Sequence, residues 1–269
     1  MGLVLFLVCL LASGIGSICG IGGGVIIKPV IDMQGIMSVN EASFLSGLTV
    51  MAMAMVNIIM RRKTRLLDMR IGSLLALGSV AGGVLGNDLL TFVRGGAGAD
   101  ALLGLVQAIA LGLITAVTLL YTVRLKERLP TYHIHRLAAV VVIGVLLGVC
   151  SAFLGIGGGP INIAVLTLAF SMDTKKAAAT SLYIIAFSQL SNLASSVLKG
   201  TVPQFVPMEL VLMVSAGILG GLVGSEISKK ISTETTNKLL AVFLVVVIIM
   251  CVYNAYRSVS YTHLRAHET

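Results

Sequence analysis

The sequence predicts an all-α, polytopic membrane protein of about eight membrane segments, in two homologous four-segment repeats with glycine-broken helices or re-entrant segments. Three observations carry that expectation. First, the chain is 57% apolar and 11% charged, whereas roughly a quarter of a soluble domain is charged. Second, the charges are clumped: Asp, Glu, Lys and Arg are absent from 1–27, 42–60, 71–87, 101–123, 137–172, 177–198, 210–225 and 239–256, and most of these stretches approach the about 20 apolar residues that a bilayer-spanning helix needs. Third, one glycine run occurs twice inside apolar sequence, as Gly20-Ile21-Gly22-Gly23-Gly24 and as Gly155-Ile156-Gly157-Gly158-Gly159.

Segment one covers 3–19. It carries no basic n-region, and its apolar run continues through the glycines, so it is expected to be retained rather than cleaved as a signal peptide. After the glycines a short apolar stretch runs to Ile31. Segments two, three and four cover 41–60, 71–93 and 101–123, and segment five covers 137–154. The second glycine run is followed by 160–171, and segments six, seven and eight cover 177–198, 208–228 and 237–256. The stretch after each glycine run is too short to span at about 1.5 Å per residue. It fits either a re-entrant half-helix or the far part of a broken helix.

The halves align without a gap from the glycine runs onward. Ala42 falls on Ala177, Ser46 on Ser181 and Asn57 on Asn192, and a small shift brings 82–86 onto 220–224. Several matches in order point to an internal duplication. The resulting organisation is a first membrane repeat (1–123), a linker (124–136), a second membrane repeat (137–257) and a polar end (258–269) that reads as a non-native adapter.

The formal charge is +8. The cations lie in short loops between apolar spans, which fits a positive-inside bias and anionic lipid headgroups rather than nucleic acid. The basic loops 61–70 and 124–136 are therefore expected on the cytoplasmic side. A simple count of eight crossings puts the N-terminus there too, but leaves Lys175, Lys176, Lys229 and Lys230 on the other side. Cys9, Cys19, Cys150 and Cys251 lie inside apolar spans without metal-ligand spacing, so neither disulfide nor zinc is expected. No cofactor is expected, and oligomeric state is not readable.

A glycine run strips side chains and helix propensity, at about 1 kcal/mol per glycine relative to alanine. A helix restarting after it presents free N–H groups and a partial positive end, which makes an anion site without a charged side chain. The expected substrate-binding residues are accordingly Gly22, Gly23 and Gly24 in the first run, and Gly157, Gly158 and Gly159 in the second. The competing reading of such glycines is close helix packing, which is expected for Gly82, Gly83, Gly86, Gly220, Gly221 and Gly224. Lys28 follows the first run and either pairs with an anion or snorkels to an interface. Ile163 stands at its aligned position, so its role is asymmetric. Ser46, Thr180 and Ser181 add hydroxyls near the runs. Asn57 and Asn192 are either site groups or interhelical hydrogen-bonding groups. Glu41, Asp88 and Glu226, at span ends, are candidates for carrying a coupling proton. No Ser-His-Asp set, catalytic carboxylate pair or His cluster lies within the membrane segments, so no enzyme is expected.

At these residues the chain resembles the sulfite exporter TauE/SafE family of membrane permeases. The resemblance lies in 148–159, in Ala177-Ala178-Ala179-Thr180-Ser181-Leu182 and in 217–224, with a first-half counterpart in 16–29, 42–46 and 78–86. It implies an integral inner-membrane protein with two related halves that transports small anions, often sulfur-containing, driven by an ion gradient of protons or sodium. The first half departs from the second in having Leu45 where the second has Thr180, and Pro29 where the second has Ala164. The expected function is a secondary transporter of such an anion, embedded in the lipid bilayer and working by alternating access. The alternatives are a passive anion channel and a non-transporting membrane assembly protein.

Overall fold

The structure, a computed structural model, describes residues 2–35, 37–62, 66–94, 99–126, 128, 130–134, 136–156 and 158–266. Among these the regular structure is wholly helical. Ten helices follow one another: α1 (Gly2–Cys19), α2 (Gly24–Gln34), α3 (Val39–Arg61), α4 (Met69–Arg94), α5 (Ala99–Leu120, closed by a wider π turn over Tyr121–Leu125), α6 (Leu137–Leu154), α7 (Gly159–Phe170), α8 (Thr174–Leu198), α9 (Pro207–Lys230) and α10 (Thr233–Ala266). Eight of them are long and apolar enough to cross a membrane, and only α2 and α7 are too short.

Helix starts follow capping chemistry. The Ser38 hydroxyl accepts the Glu41 N–H at 3.2 Å to open α3, and Asp173 accepts the Lys176 N–H at 3.0 Å to open α8. That cap is why α8 begins at Thr174, ahead of the apolar run expected from Ala177. At the other end of the chain, α10 stays helical to Ala266, into the polar segment read as an adapter.

The two glycine breaks reverse the chain. Gly2, Leu5, Ile31, Gln34, Val206 and Leu212 line one shared hollow, which puts the start of α1, the end of α2 and the start of α9 at the same face. α1 and α2 are thus one hairpin whose two ends lie together, on what is called here the N-terminal face. α6 and α7 do the same at the other face: the N–H groups of Tyr132 and Ile134, just before α6, donate to the carbonyls of Leu168 and Ala169 at the end of α7. The post-glycine stretches are therefore re-entrant.

Reversal at both breaks changes the crossing count. α3, α4, α5, α8, α9 and α10 each run from one face to the other, and the hairpins do not. Arg61, Arg62, Arg124, Lys126, Arg128, Arg136, Lys175, Lys176, Lys229 and Lys230 then gather at one face, and Gly2, at the start of α1, lies at the opposite one. The expectation that the N-terminus shares a side with the basic loops is corrected by the return of α2. The same return removes the conflict over Lys175, Lys176, Lys229 and Lys230, which the simple count had left on the wrong side.

The hairpins are gripped by the opposite half. α1 packs along α9 and α6 along α4, and in both pairs the helices run parallel. Glycines make this approach close. A Cβ at Gly78 would lie 2.3 Å from the Val141 carbonyl oxygen, one at Gly82 2.1 Å from that of Val145, and one at Gly224 2.3 Å from that of Gly14. Gly82 and Gly224 are packing glycines, as expected, and Gly78 joins them. α3 and α8 cross antiparallel at the centre, where Val50, Met53 and Ala54 meet Leu182, Ile185 and Ala186.

Candidate functional site

Each break is built from glycines in the left-handed region. Gly20 (φ 76°) and Gly155 (φ 65°) end α1 and α6, and Gly22 (φ 80°) and Gly158 (φ 69°) turn the chain back. A side chain at any of these positions would be strained. The return is tight: a Cβ at Gly23 would sit 2.9 Å from Cα of Ser13, and one at Gly158 3.1 Å from Cβ of Ser151.

The breaks meet. A Cβ on Gly159, the first residue of α7, would lie 1.6 Å from the Ile21 carbonyl oxygen of the other break. One on Gly24, the first residue of α2, would lie 3.0 Å from the Ile156 carbonyl oxygen and 2.9 Å from Val50 Cγ2. Val50 is the midpoint of α3 (Val39–Arg61), so the meeting point is at mid-depth. From there α2 runs to the N-terminal face and α7 to the basic face. Their positive N-terminal ends converge at the centre, each with main-chain N–H groups that have no partner inside the helix.

Buried polar side chains surround the breaks. Ser13, Ser151, Asn162, Thr180 and Ser181 are all at most 2% exposed, and each has a side-chain oxygen with no hydrogen-bond partner. Asn162 Oδ1 approaches Gly158, and Ala178, two residues before Thr180, lies against Gly20. The Thr180 methyl is turned to Gly72 of α4. Ser46 donates to the Gly155 carbonyl at 3.0 Å, tying α3 to the second break.

Several expected site residues are thus brought together: Gly22, Gly23, Gly24, Gly158 and Gly159 at the centre, with Ser46 and Ser181 one turn of helix either side. Gly157 lies outside the described residues. Asn57 and Asn192 stand apart. Each lies two turns, about 10 Å, beyond the α3–α8 crossing, and they lie toward opposite faces. Asn57 accepts the Ser17 hydroxyl at 2.7 Å and donates to the Met53 carbonyl at 3.0 Å. That is the interhelical hydrogen bond weighed for it from sequence. Asn192 keeps a buried Oδ1 without a partner. Lys28, one turn beyond Gly24, is 3% exposed and pairs with Asp32 at 2.7 Å. It does not snorkel.

The family model for Sulfite exporter TauE/SafE matches residues 5–251. The chain belongs to the TauE/SafE family. No curated protein and no solved structure matches it. The match runs through both breaks and all eight long helices of this TauE/SafE protein, so the site described above lies wholly within the family region.

Sequence reasoning missed four groups in this TauE/SafE chain. Asp32 stands at i+4 from Lys28, the spacing of a helical ion pair, and that spacing was the available signal. Asn162 is a lone amide in the short apolar stretch after the second break. Ser13 and Ser151 precede the breaks by two turns and one turn, and only the hairpin geometry brings them back against the glycines.

Proposed function

We propose that this protein is a secondary transporter of a small anion, of the sulfur oxyanion or organosulfonate class, working by alternating access. The observation that carries this reading is the convergence of the α2 and α7 N-termini at mid-depth. Two positive helix ends facing one another in a low-dielectric interior repel, and an anion between them relieves that repulsion. The main-chain N–H groups after Gly24 and Gly159 hold the anion, Ser181 and Asn162 add hydrogen bonds, and Lys28 adds charge from one side. A tetrahedral oxyanion has enough acceptor oxygens to satisfy donors from both sides at once.

The hairpins enter from opposite faces, so the two halves are inverted relative to one another. We take them to be products of duplication, on the order and spacing of the matched residues. Such halves around a central broken-helix site suit rocking that opens the site to one face and then the other. The basic face is assigned to the cytoplasm by the positive-inside rule. A proton or sodium gradient supplies the driving force.

The test is flux in proteoliposomes holding the full chain, with sulfite, sulfate and organosulfonates, with and without imposed pH or sodium gradients. Uphill accumulation of a sulfur anion is expected. Strictly downhill flux reassigns the protein as a channel, and absence of flux for every sulfur anion overturns the reading. Lys28→Met is expected to raise KM for the transported anion at least tenfold.

A further inference from the structure

Beside the first break lies a second polar place that shares only Lys28 with the proposed anion site. Lys28, Asp32, Gln107, Leu154, Cys251 and Asn254 line a small cavity between α2, α5, α10 and the end of α6, with room for about one water. Lys28 Nζ donates to Asp32 Oδ2 at 2.7 Å, and the other carboxylate oxygen, Oδ1, is buried without a partner. Gln107 is 2% exposed; its Nε2 donates to the Phe153 carbonyl at 2.6 Å, and its Oε1 is also buried without a partner. Asn254 Nδ2 donates to the Pro29 carbonyl at 2.9 Å, fixing α2 against α10.

Asp32 Oδ1 and Gln107 Oε1 are thus two buried acceptors on one cavity, neither with a hydrogen-bond partner, an unsatisfied arrangement. One added proton satisfies it. We infer that Asp32 is the proton-coupling carboxylate of this transporter: it takes up a proton on Oδ1, donates it in a hydrogen bond to Gln107 Oε1, directly or through one water, and so releases Lys28 to the anion.

The step balances simply. A proton leaves solvent at the N-terminal face, near which Asp32 lies, and forms the O–H bond on Oδ1. The carboxylate becomes a neutral acid, and Lys28 keeps its own proton. The pair passes from net zero to net +1, and the ammonium, no longer neutralised, attracts the anion at the break one turn away. Proton and anion are therefore bound together. At the aligned positions of the second half stand Ile163 and Thr167, so the device occurs in one half only. The other titratable groups on the helices packed against α2 are few. Cys251 faces the cavity, and Arg257 donates to the Met33 carbonyl. Glu41 opens α3, and Cys9 of α1 lies with Ile27 and Ile31 in a separate apolar cluster. Glu209 lies beyond Ile31 and Gln34.

This rests on the anion-transport reading, and the experiment separates the two. Binding of methanesulfonate, whose charge does not change over the accessible pH range, is measured against pH with the full chain. Once pH exceeds the Asp32 midpoint, affinity is expected to fall by about tenfold per pH unit, the slope for one linked proton. Asp32→Asn, whose amide donates to Gln107 as the acid would, is expected to bind with a flat pH profile. Gln107→Leu, which removes the acceptor for the acid's proton, is expected to bind methanesulfonate more weakly than the wild type at the same pH. A wild-type slope unchanged in Asp32→Asn overturns the proposal. If methanesulfonate does not bind, infrared titration of the same protein decides. A protonated-carboxyl band that titrates in the wild type and is absent from Asp32→Asn supports the proton site even though the anion reading fails for that probe. Identical bands in the two proteins overturn it.

Discussion

The carbonyl oxygen of Ile21 occupies the space where any side chain at residue 159 would begin: a Cβ on Gly159 would lie 1.6 Å from it. Backbone from one hairpin is thus seated on the first residue of the short helix of the other. Gly159→Ala is expected to prevent this seating and cost on the order of 4 kcal/mol or folding itself. Gly200→Ala is the comparison, because nothing lies within 4 Å of its Cβ and only its φ of 64° is strained. It is expected to cost about 1–2 kcal/mol. Thermal unfolding in detergent, monitored by size exclusion, ranks the two.

A second contrast concerns helix packing. Gly82→Ala places a methyl 2.1 Å from the Val145 carbonyl oxygen, so α4 and α6 must move apart. Gly104→Ala meets Val39 Cγ2 at 3.4 Å, ordinary contact, and gains about 1 kcal/mol of helix propensity. The first variant is expected to unfold at lower temperature than the parent, and the second at the same or higher temperature.

Asn57→Ala removes the bond from Ser17 and the one to Met53. It is expected to destabilise by about 0.6–2 kcal/mol and to leave the ratio of KM values for different anions unchanged. Ser181→Ala removes a buried, unpartnered hydroxyl beside the first break and is expected to raise KM with little change in unfolding temperature. Transport assays and melts on the same preparations check both.

The hairpin topology predicts which sites share a face. In a cysteine-free background, Gln34→Cys and Thr201→Cys are expected to react with an impermeant maleimide from one side of the membrane, and Ser171→Cys and Ser232→Cys from the other. Labelling of Gln34→Cys together with Ser171→Cys would mean that α2 continues across the bilayer instead of returning.

Much of the fold was legible because the chain separates charge from apolar sequence so sharply: all eight long helices and the short α7 fall where the charge-free stretches do, whereas α2 runs past the first of them with Lys28 and Asp32 inside it. Direction was not legible. Hydropathy has no sign along the chain, and whether α2 goes on or comes back is decided by φ at Gly20 and Gly22 and by the space Ser13 leaves for Gly23. Once the chain returns, the lysines at 175, 176, 229 and 230 join the other basic loops. In the site, the glycines could be read as a pattern, but Ser13 and Ser151 could not, since their relevance arises from contacts across a reversed chain. Asn57 and Asn192 looked alike in sequence, yet only Asn57 has a partner for its side-chain oxygen, because Ser17 on α1 faces it.

The reciprocal grip of the hairpins has a consequence for biogenesis. α1 ends at Cys19, yet the helix it lies along, α9, begins only at Pro207. At about 5–20 residues per second, synthesis of the intervening chain takes on the order of ten seconds or more. For that interval the first hairpin sits in the translocon or in lipid without the helix that packs along α1. Nascent chains arrested before residue 207 should therefore be shielded by insertion factors or be degraded by membrane proteases, and the first half should not mature by itself.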